Sequence, residues 1–334
     1  MKILVIGSEG FIGRYMVRDL KAAGHEVAGF DLVPEDAGRS GYVFHQGSIL
    51  SREELMKAAR GAEMVVNLAA KHHDFGVSRE EFFLINETGT QVMLDVMAEL
   101  GIKRLVFYSS VAVYGDVTEF SHEGMGEHPV NDYGRSKLAG EALIKQWAVK
   151  DASREVLIMR PVVVFGPHNF ANMFRLIDSI YHRRFLLVGK GDNIKSVCYV
   201  ENLVAATLFM MQKLRPGIEV VNYSDEPHKT SREIANIIRS ELGKKPLKAH
   251  LPLGLITALA SPIDLVAKAA KVNFPITASR IKKFASPTTH GSQKVRALGF
   301  KQKFSIEGGL RAMVRWYLEE GINERKRSAS GPRA

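Results

Sequence analysis

The 334-residue chain has one cysteine, Cys198. A lone thiol excludes an internal disulfide and a cysteine-rich zinc site, and it fits a reducing compartment. Long apolar runs are also missing. The opening run, MKILVIG, stops at Gly7 with no small-residue cleavage site after it, so no signal peptide is expected. The most apolar stretch, 251–270 (LPLGLITALASPIDLVAKAA), is broken by Pro262, Asp264 and Lys268. Its unbroken part falls short of the ~20 residues a span requires. It reads as a buried or interface helix pair, or else as a monotopic membrane contact. No internal repeat, low-complexity tract or nucleic-acid module is visible. With 46% hydrophobic and 25% charged residues, a disordered or collagen-like chain is excluded.

Acidic residues are outnumbered, 36 against 46 Lys+Arg, for a net charge of +10. The excess is uneven, because 13 Lys+Arg face 4 Asp+Glu from Arg280 onward. That segment reads as a solvated basic face with a frayed tail, or as a surface for a phosphorylated ligand or an anionic membrane.

Short apolar runs alternate with amphipathic stretches through the first half. Strands are expected at 2–7, 26–31, 42–46, 63–70, 103–110 and 155–166. Helices are expected at 11–23, 52–59, 86–100 and 133–149. Such alternation implies right-handed crossovers and an α/β fold, a doubly wound parallel (Rossmann) sheet. After Gly166 the prolines multiply and the order becomes mixed. We expect a dinucleotide-binding domain over 1–166, with later segments returning to it. A smaller mixed α/β C-terminal substrate lobe over 167–321 and a basic tail over 322–334 follow.

The loop GSEGFIG follows the first strand and opens the first helix. Gly7 suits the tight turn, Gly10 the close approach of backbone to a pyrophosphate, and Gly13 the packing of helix on strand. The helix N-terminus then offers N–H groups to the phosphates. Asp31 ends the second strand, where a carboxylate accepts from ribose hydroxyls and repels a 2′-phosphate. It therefore argues for NAD over NADP.

Tyr133 and Lys137 stand at i and i+4 in YGRSK, on one helix face. A phenol with a pKa of about 10 is a poor base until a cation favours its phenolate. Lys137 can supply that cation, and Ser110, at the end of the fifth strand, can bond the same substrate oxygen. His72 and His73 follow the fourth strand and suit a cleft or surface role. No metal site is expected there without a third ligand. Glu201 and Asn202 are expected to cap the helix after them.

The stretches GSEGFIG, NLAA, INETGT, RLVFYSSVAVYG, YGRSK, RPVVVFGP and CYVENLVAA together resemble the extended short-chain dehydrogenase/reductase family, in its NAD-dependent epimerase/dehydratase branch. The resemblance runs from about Met1 to Gly321. It implies a Rossmann domain with a smaller substrate lobe, bound NAD, and a cytoplasmic enzyme. It also implies a homodimer packed through the helices at 86–100 and 133–149. By position, Ser110, Tyr133 and Lys137 match the catalytic triad. Phe11, Ile12 and Asp31 match NAD contacts, as do Leu68, Ala69, Ala70 and Lys71 after the fourth strand and Pro161 and Val162 after the sixth. Ser48 replaces the usual aspartate near adenine. Leu32, beside Asp31, and Ile49, beside Ser48, join the same set. Asn172 matches an asparagine beside the sugar-nucleotide diphosphate. Lys195 stands where nucleotide-sugar members carry an arginine, keeping the charge but not the fork. Arg280 falls near a second diphosphate-binding arginine.

Sugar 4,6-dehydratases are similar to one another in an Asp-Glu pair that supplies acid and base for water loss. Val111 and Ala112 occupy those positions here, and apolar side chains cannot transfer protons. Hydride transfer with one proton remains. The reading is an NAD-dependent nucleotide-sugar 4-epimerase, a UDP-sugar being the expected substrate. A nucleotide-4-keto-sugar reductase, a 3β-hydroxysteroid dehydrogenase-like enzyme on a lipid substrate, and a non-catalytic NAD-sensing scaffold are the alternatives. No nucleic acid and no membrane partner is expected with the epimerase.

Overall fold

The computed structural model describes residues 1–35, 41–72, 76–117, 119–247, 250–252, 254 and 286–325. Seven strands form one parallel sheet in the order β10-β6-β5-β4-β1-β2-β3. These are β1 (Lys2–Ile6), β2 (Glu26–Asp31), β3 (Val43–Gln46), β4 (Met64–Asn67), β5 (Arg104–Tyr108), β6 (Glu155–Pro161) and β10 (Gly217–Tyr223). The first six are the strands expected from the apolar runs, with frayed ends trimmed. Their near-continuous burial, as in β4 and β6, is what a sheet covered on both faces demands.

One face carries α2 (Arg52–Ala59), α4 (Gly89–Glu99) and α5 (Asp132–Val149). Their Leu55, Met93, Met97, Ile144 and Trp147 pack on Leu4, Val65, Leu105, Phe107 and Ile158. The other face carries α1 (Phe11–Ala22) and α7 (Val200–Met211), and the Tyr108 and Thr207 hydroxyls meet there at 2.6 Å.

Three expectations are corrected. The run 155–166 is two strands, because the Val162 N–H makes the last bond to β10, at the Tyr223 carbonyl, and the chain then leaves the main sheet. The second, β7 (Val163–Phe165), pairs with β9 (Val197–Tyr199) outside the main sheet. The helix at 86–100 starts earlier, at α3 (Arg79–Phe83), where Ser78 and Glu81 form a capping box. A π-turn, Leu84–Thr88, then joins α3 to α4. Glu201 and Asn202 lie inside the first turn of α7, not ahead of it. Glu201 pairs with Arg18 at 3.2 Å, and Asn202 accepts the Lys303 N–H.

The chain divides into two units. The first comprises Met1–Val162, Val200–Ser224 and His290–Lys303; the second comprises Val163–Tyr199, Asp225–Thr289 and Phe304–Ala334. The second holds the β7–β9 pair and an antiparallel pair of β8 (Ile194–Lys195) with β11 (Lys229–Thr230). It also holds α6 (Asn172–Tyr181), α8 (Ser231–Glu241) and the helix Ile306–Trp316. Its interior is aromatic, with Phe170, Phe174, Trp316 and Tyr317 ring to ring at 5.1–6.0 Å.

Candidate active site

The glycine loop is built by steric need. Gly7 has φ +83°, and a Cβ there would sit 2.8 Å from the Ala69 backbone nitrogen. A Cβ on Gly13 would run into the Gly7 carbonyl oxygen, so α1 can lie this close to β1 only with glycine. Gly10 differs: it is exposed, and its Cβ would meet only the Gly7 oxygen, at 3.2 Å. It is the N-cap of α1, with no side-chain cap and no acidic residue in the first turn. Helices α2, α3, α5 and α8 are each capped by a Ser, Thr or Asn side chain. The first turn of α1, Phe11 to Gly13, thus keeps its backbone N–H groups without a side-chain cap, a cradle suited to a pyrophosphate.

Asp31 fastens this loop. Its carboxylate accepts the Glu9 N–H at 2.9 Å and the Val33 N–H at 3.1 Å. Each oxygen keeps a lone pair for a ribose hydroxyl. Leu32 beside it is 65% exposed. The Ser48 N–H donates to Glu54 and its Oγ accepts the Leu50 N–H, while Ile49 is buried against Gly89 of α4. Leu68, Ala69 and Ala70 are half-buried beyond β4, with Ala69 directly under Gly7. Pro161 and Val162 are buried at the end of β6. The donor set and the bare helix end fit a dinucleotide.

Helix α5 is pinned to the end of β5 at two points. Lys137, 2% exposed, donates from Nζ to the Tyr108 carbonyl at 2.7 Å and lies over the Phe107 ring at 5.0 Å. Gly134, beside Tyr133, closes on the Ala112 carbonyl so tightly that a Cβ would clash. Between those anchors on the β5 side lies Ser110, half-buried, whose Oγ accepts the Ala112 N–H and caps the short helix Val111–Tyr114. The Ser110 hydroxyl hydrogen remains to donate. Tyr133 is half-buried, its ring 6.1 Å from that of Phe82. Burial pushes the Lys137 ammonium down to about 7, and the Glu141 carboxylate opposes that fall.

Asn86, in the π-turn, links these parts. Its Oδ1 accepts the Lys71 N–H, and its Nδ2 donates to the Lys71 carbonyl and to Ser136 Oγ, which donates to the Tyr133 carbonyl. The loop after β4 and the first turn of α5 thus share one buried amide. Lys71 itself reaches Glu81 at 3.6 Å, and His72 is exposed. His73 lies outside the described residues.

Asn172 and Lys195, the described residues expected beside the diphosphate, fall in the second unit. Asn172 opens α6 and is exposed. Lys195 donates to the Ser286 carbonyl at 2.6 Å. Arg280 and most of the apolar stretch 251–270 lie outside the described residues. Among the described residues there is no group of three metal-ligating side chains, and no helix long and apolar enough to cross a membrane.

Residues 3–223 match the family described as the NAD-dependent epimerase/dehydratase family. The chain belongs to that family. Among curated relatives of this epimerase/dehydratase, the N-acetyl-alpha-D-glucosaminyl-diphospho-ditrans,octacis-undecaprenol 4-epimerase of Escherichia coli O157:H7 is 31% identical over 312 residues, covering 92% of each chain. The UDP-glucose 4-epimerase of Vibrio cholerae is 27% identical over 75% of this chain and 79% of its own. Among solved structures, the UDP-glucose 4-epimerase of Thermus thermophilus, in complex with NAD, superposes with a TM-score of 0.76 at 22% identity. It covers 96% of this chain and 100% of the other, a likeness of fold.

Two residues of this epimerase/dehydratase escaped the sequence reading. Glu141 and Arg160 form a buried ion pair directly beyond Lys137. Their signal was present: a glutamate at i+4 from Lys137, and an arginine inside the apolar strand VLIMRP.

Proposed function

We propose that this protein is an NAD-dependent 4-epimerase of a sugar carried on a diphosphate, working as a cytoplasmic homodimer. The observation that carries the reading is the anchoring of α5 on β5. It sets Tyr133 and Lys137 beside the segment that bears Ser110, while Val111 and Ala112 leave elimination without an acid or base. In this mechanism the Tyr133 phenolate takes the proton of the sugar 4-hydroxyl and later returns it. Ser110 donates a hydrogen bond to the same oxygen and orients it. Lys137 supplies the charge that favours phenolate. The loop from Gly7 to Gly13, with Asp31 and the residues after β4, holds the dinucleotide. Bound NAD supplies reversible hydride acceptance at C4. Asp31 favours the epimerase over the ketoreductase, because it disfavours a 2′-phosphate.

Tyr133→Phe tests this. Turnover should fall by about 10²- to 10⁴-fold while NAD content stays at the wild-type level. A variant that keeps wild-type turnover removes Tyr133 as the base.

The carrier of the diphosphate is a nucleoside in the first reading. A lipid carrier is favoured by the relative that is 31% identical along nearly all of both chains and is named for a polyprenol-linked sugar. The apolar sequence at 251–270, the basic C-terminal segment and lysine at position 195 are compatible with it. Parallel assays with UDP-N-acetylhexosamine and with the polyprenyl-diphospho form in vesicles separate the two. Turnover of the UDP-sugar alone would exclude the lipid carrier.

A further inference from the structure

Lys137 is deeply enclosed for a residue whose task is to carry charge. The groups around it are few. On α5, Tyr133 and Glu141 stand one turn to either side, with Lys145 beyond. From β5 come the Tyr108 carbonyl and the Phe107 ring, the Tyr108 phenol having turned to the opposite face to meet Thr207. From the π-turn comes the neutral amide of Asn86, and from β6 the guanidinium of Arg160. A carbonyl and a ring face replace only part of the water an ammonium loses on burial.

Glu141, 0% exposed, meets Arg160, 1% exposed, in a two-point fork: Nε to Oε1 at 2.8 Å and Nη2 to Oε2 at 2.5 Å. The fork is aimed from behind. Arg160 Nη1 donates to the Tyr114 hydroxyl at 2.8 Å and Nη2 to Glu127 at 2.7 Å, and Tyr114 donates on to Asn222 at 2.9 Å. Lys145, at 3.7 Å from Glu141 and 3.8 Å from Glu127, closes the outer side. Filling the space does not need two charges, since apolar residues of equal volume would do so without desolvation. A fixed negative charge one turn from Lys137 is what the pair adds.

We propose that Glu141, held in place by its fork with Arg160, is a positioning residue that keeps the proton shared by Tyr133 and Lys137 on Lys137, so that Tyr133 is left as phenolate. The consequence for catalysis rests on the function proposed above; the effect on Lys137 does not. Tyr133-phenolate with Lys137-ammonium, and Tyr133-phenol with Lys137-amine, hold the same number of protons. The pair therefore loses its first proton with one apparent pKa, and the environment decides where the remaining proton sits. Glu141 is one turn from Lys137 and two from Tyr133, so its charge favours the ammonium.

The test uses full-length protein labelled with ¹³C at lysine Cε, in a Tyr133→Phe background that removes the coupling. The Lys137 signal is assigned by its loss in Lys137→Met. Glu141→Gln alone strands the Arg160 charge and can fail to fold. The companion variant Glu141→Gln/Arg160→Met removes both charges and keeps the interior neutral. The Lys137 midpoint should fall by about one unit or more in either variant, a tenfold or larger change in its proton affinity. A smaller fall, no change or a rise overturns the proposal. With Tyr133 restored, the rate plateau should drop about tenfold and the acid limb should move to lower pH. If Lys137 shifts as expected but no sugar diphosphate is epimerised, the charge relay stands and the functional reading fails.

Discussion

Replacing Lys137 with methionine should stabilise this protein while abolishing its activity, and the gain should depend on pH in a stated direction. Burial carries Lys137 from 10.5 down to about 7. Between those values the unfolded chain holds a proton that the folded chain has released, so stability rises with pH across that window. The full penalty, roughly 5 kcal/mol at about 1.4 kcal/mol per unit, is present below pH 7. About 1.5 kcal/mol of it remains at pH 9.5. Methionine holds no proton in either state, but it leaves the Tyr108 carbonyl without its 2.7 Å donor, a loss of about 1–3 kcal/mol. The advantage of Lys137→Met should therefore shrink by about 3 kcal/mol between pH 7 and pH 9.5. Urea unfolding of nucleotide-free protein measures it. A Trp316→Phe background leaves Trp147, on α5, as the single tryptophan and reports the first unit alone. An advantage that stays constant, or grows with pH, would refute the claim that Lys137 is buried at an electrostatic cost.

The glycine loop separates packing from binding. Gly13→Ala forces a Cβ into the Gly7 carbonyl and should lower stability by more than about 2 kcal/mol, seen as a lower urea midpoint. Gly10→Ala meets one atom at 3.2 Å and should keep the wild-type midpoint yet weaken NAD binding about tenfold, measured by calorimetry. Asp31→Asn should narrow the preference for NAD over NADP, because it removes the charge that repels a 2′-phosphate; an unchanged ratio of the two dissociation constants would contradict the role given to Asp31. Cys198 is fully buried, and burial, with the Asp225 charge next, holds its thiol well above the usual range. It should react with a thiol-specific disulfide reagent only at the rate of unfolding.

Much of the first unit was legible because its signals are local. Period-2 and period-3.6 patterns mark β1 to β6 and α1, α2 and α5, and the helix at 52–59 agrees residue for residue. Non-local pairing was not legible. The strand GIEVVNY reads as an isolated apolar run, yet it docks beside β6 as the seventh strand, 62 residues away in register from Glu155 to Gly217. The break after Pro161 was hidden because the apolar run continues across it while its hydrogen-bond partner changes from β10 to β9. The start of α3 was hidden in a polar stretch, where Ser78 and Glu81 cap each other.

The same division runs through the site. Tyr133 and Lys137 announce themselves because i and i+4 on a helix share a face whatever surrounds them. Glu141 repeats that spacing from Lys137, and by spacing alone it is one more surface charge on a helix rich in them. Its meaning comes from Arg160, which arrives 19 residues later on a strand, inside the apolar sequence LIMRP. An arginine on the α5-facing side of a buried strand must find an anion there or stay unpaired at a cost of several kcal/mol. Ile158, two residues earlier, already faces the core beneath α5, and strand alternation sends Arg160 the same way. The glutamate that meets it is then the one on the inner face of that helix, one turn from the lysine. The position of the charge partner thus follows from combining two periodicities, 2 on the strand and 3.6 on the helix, which neither segment reveals when read by itself.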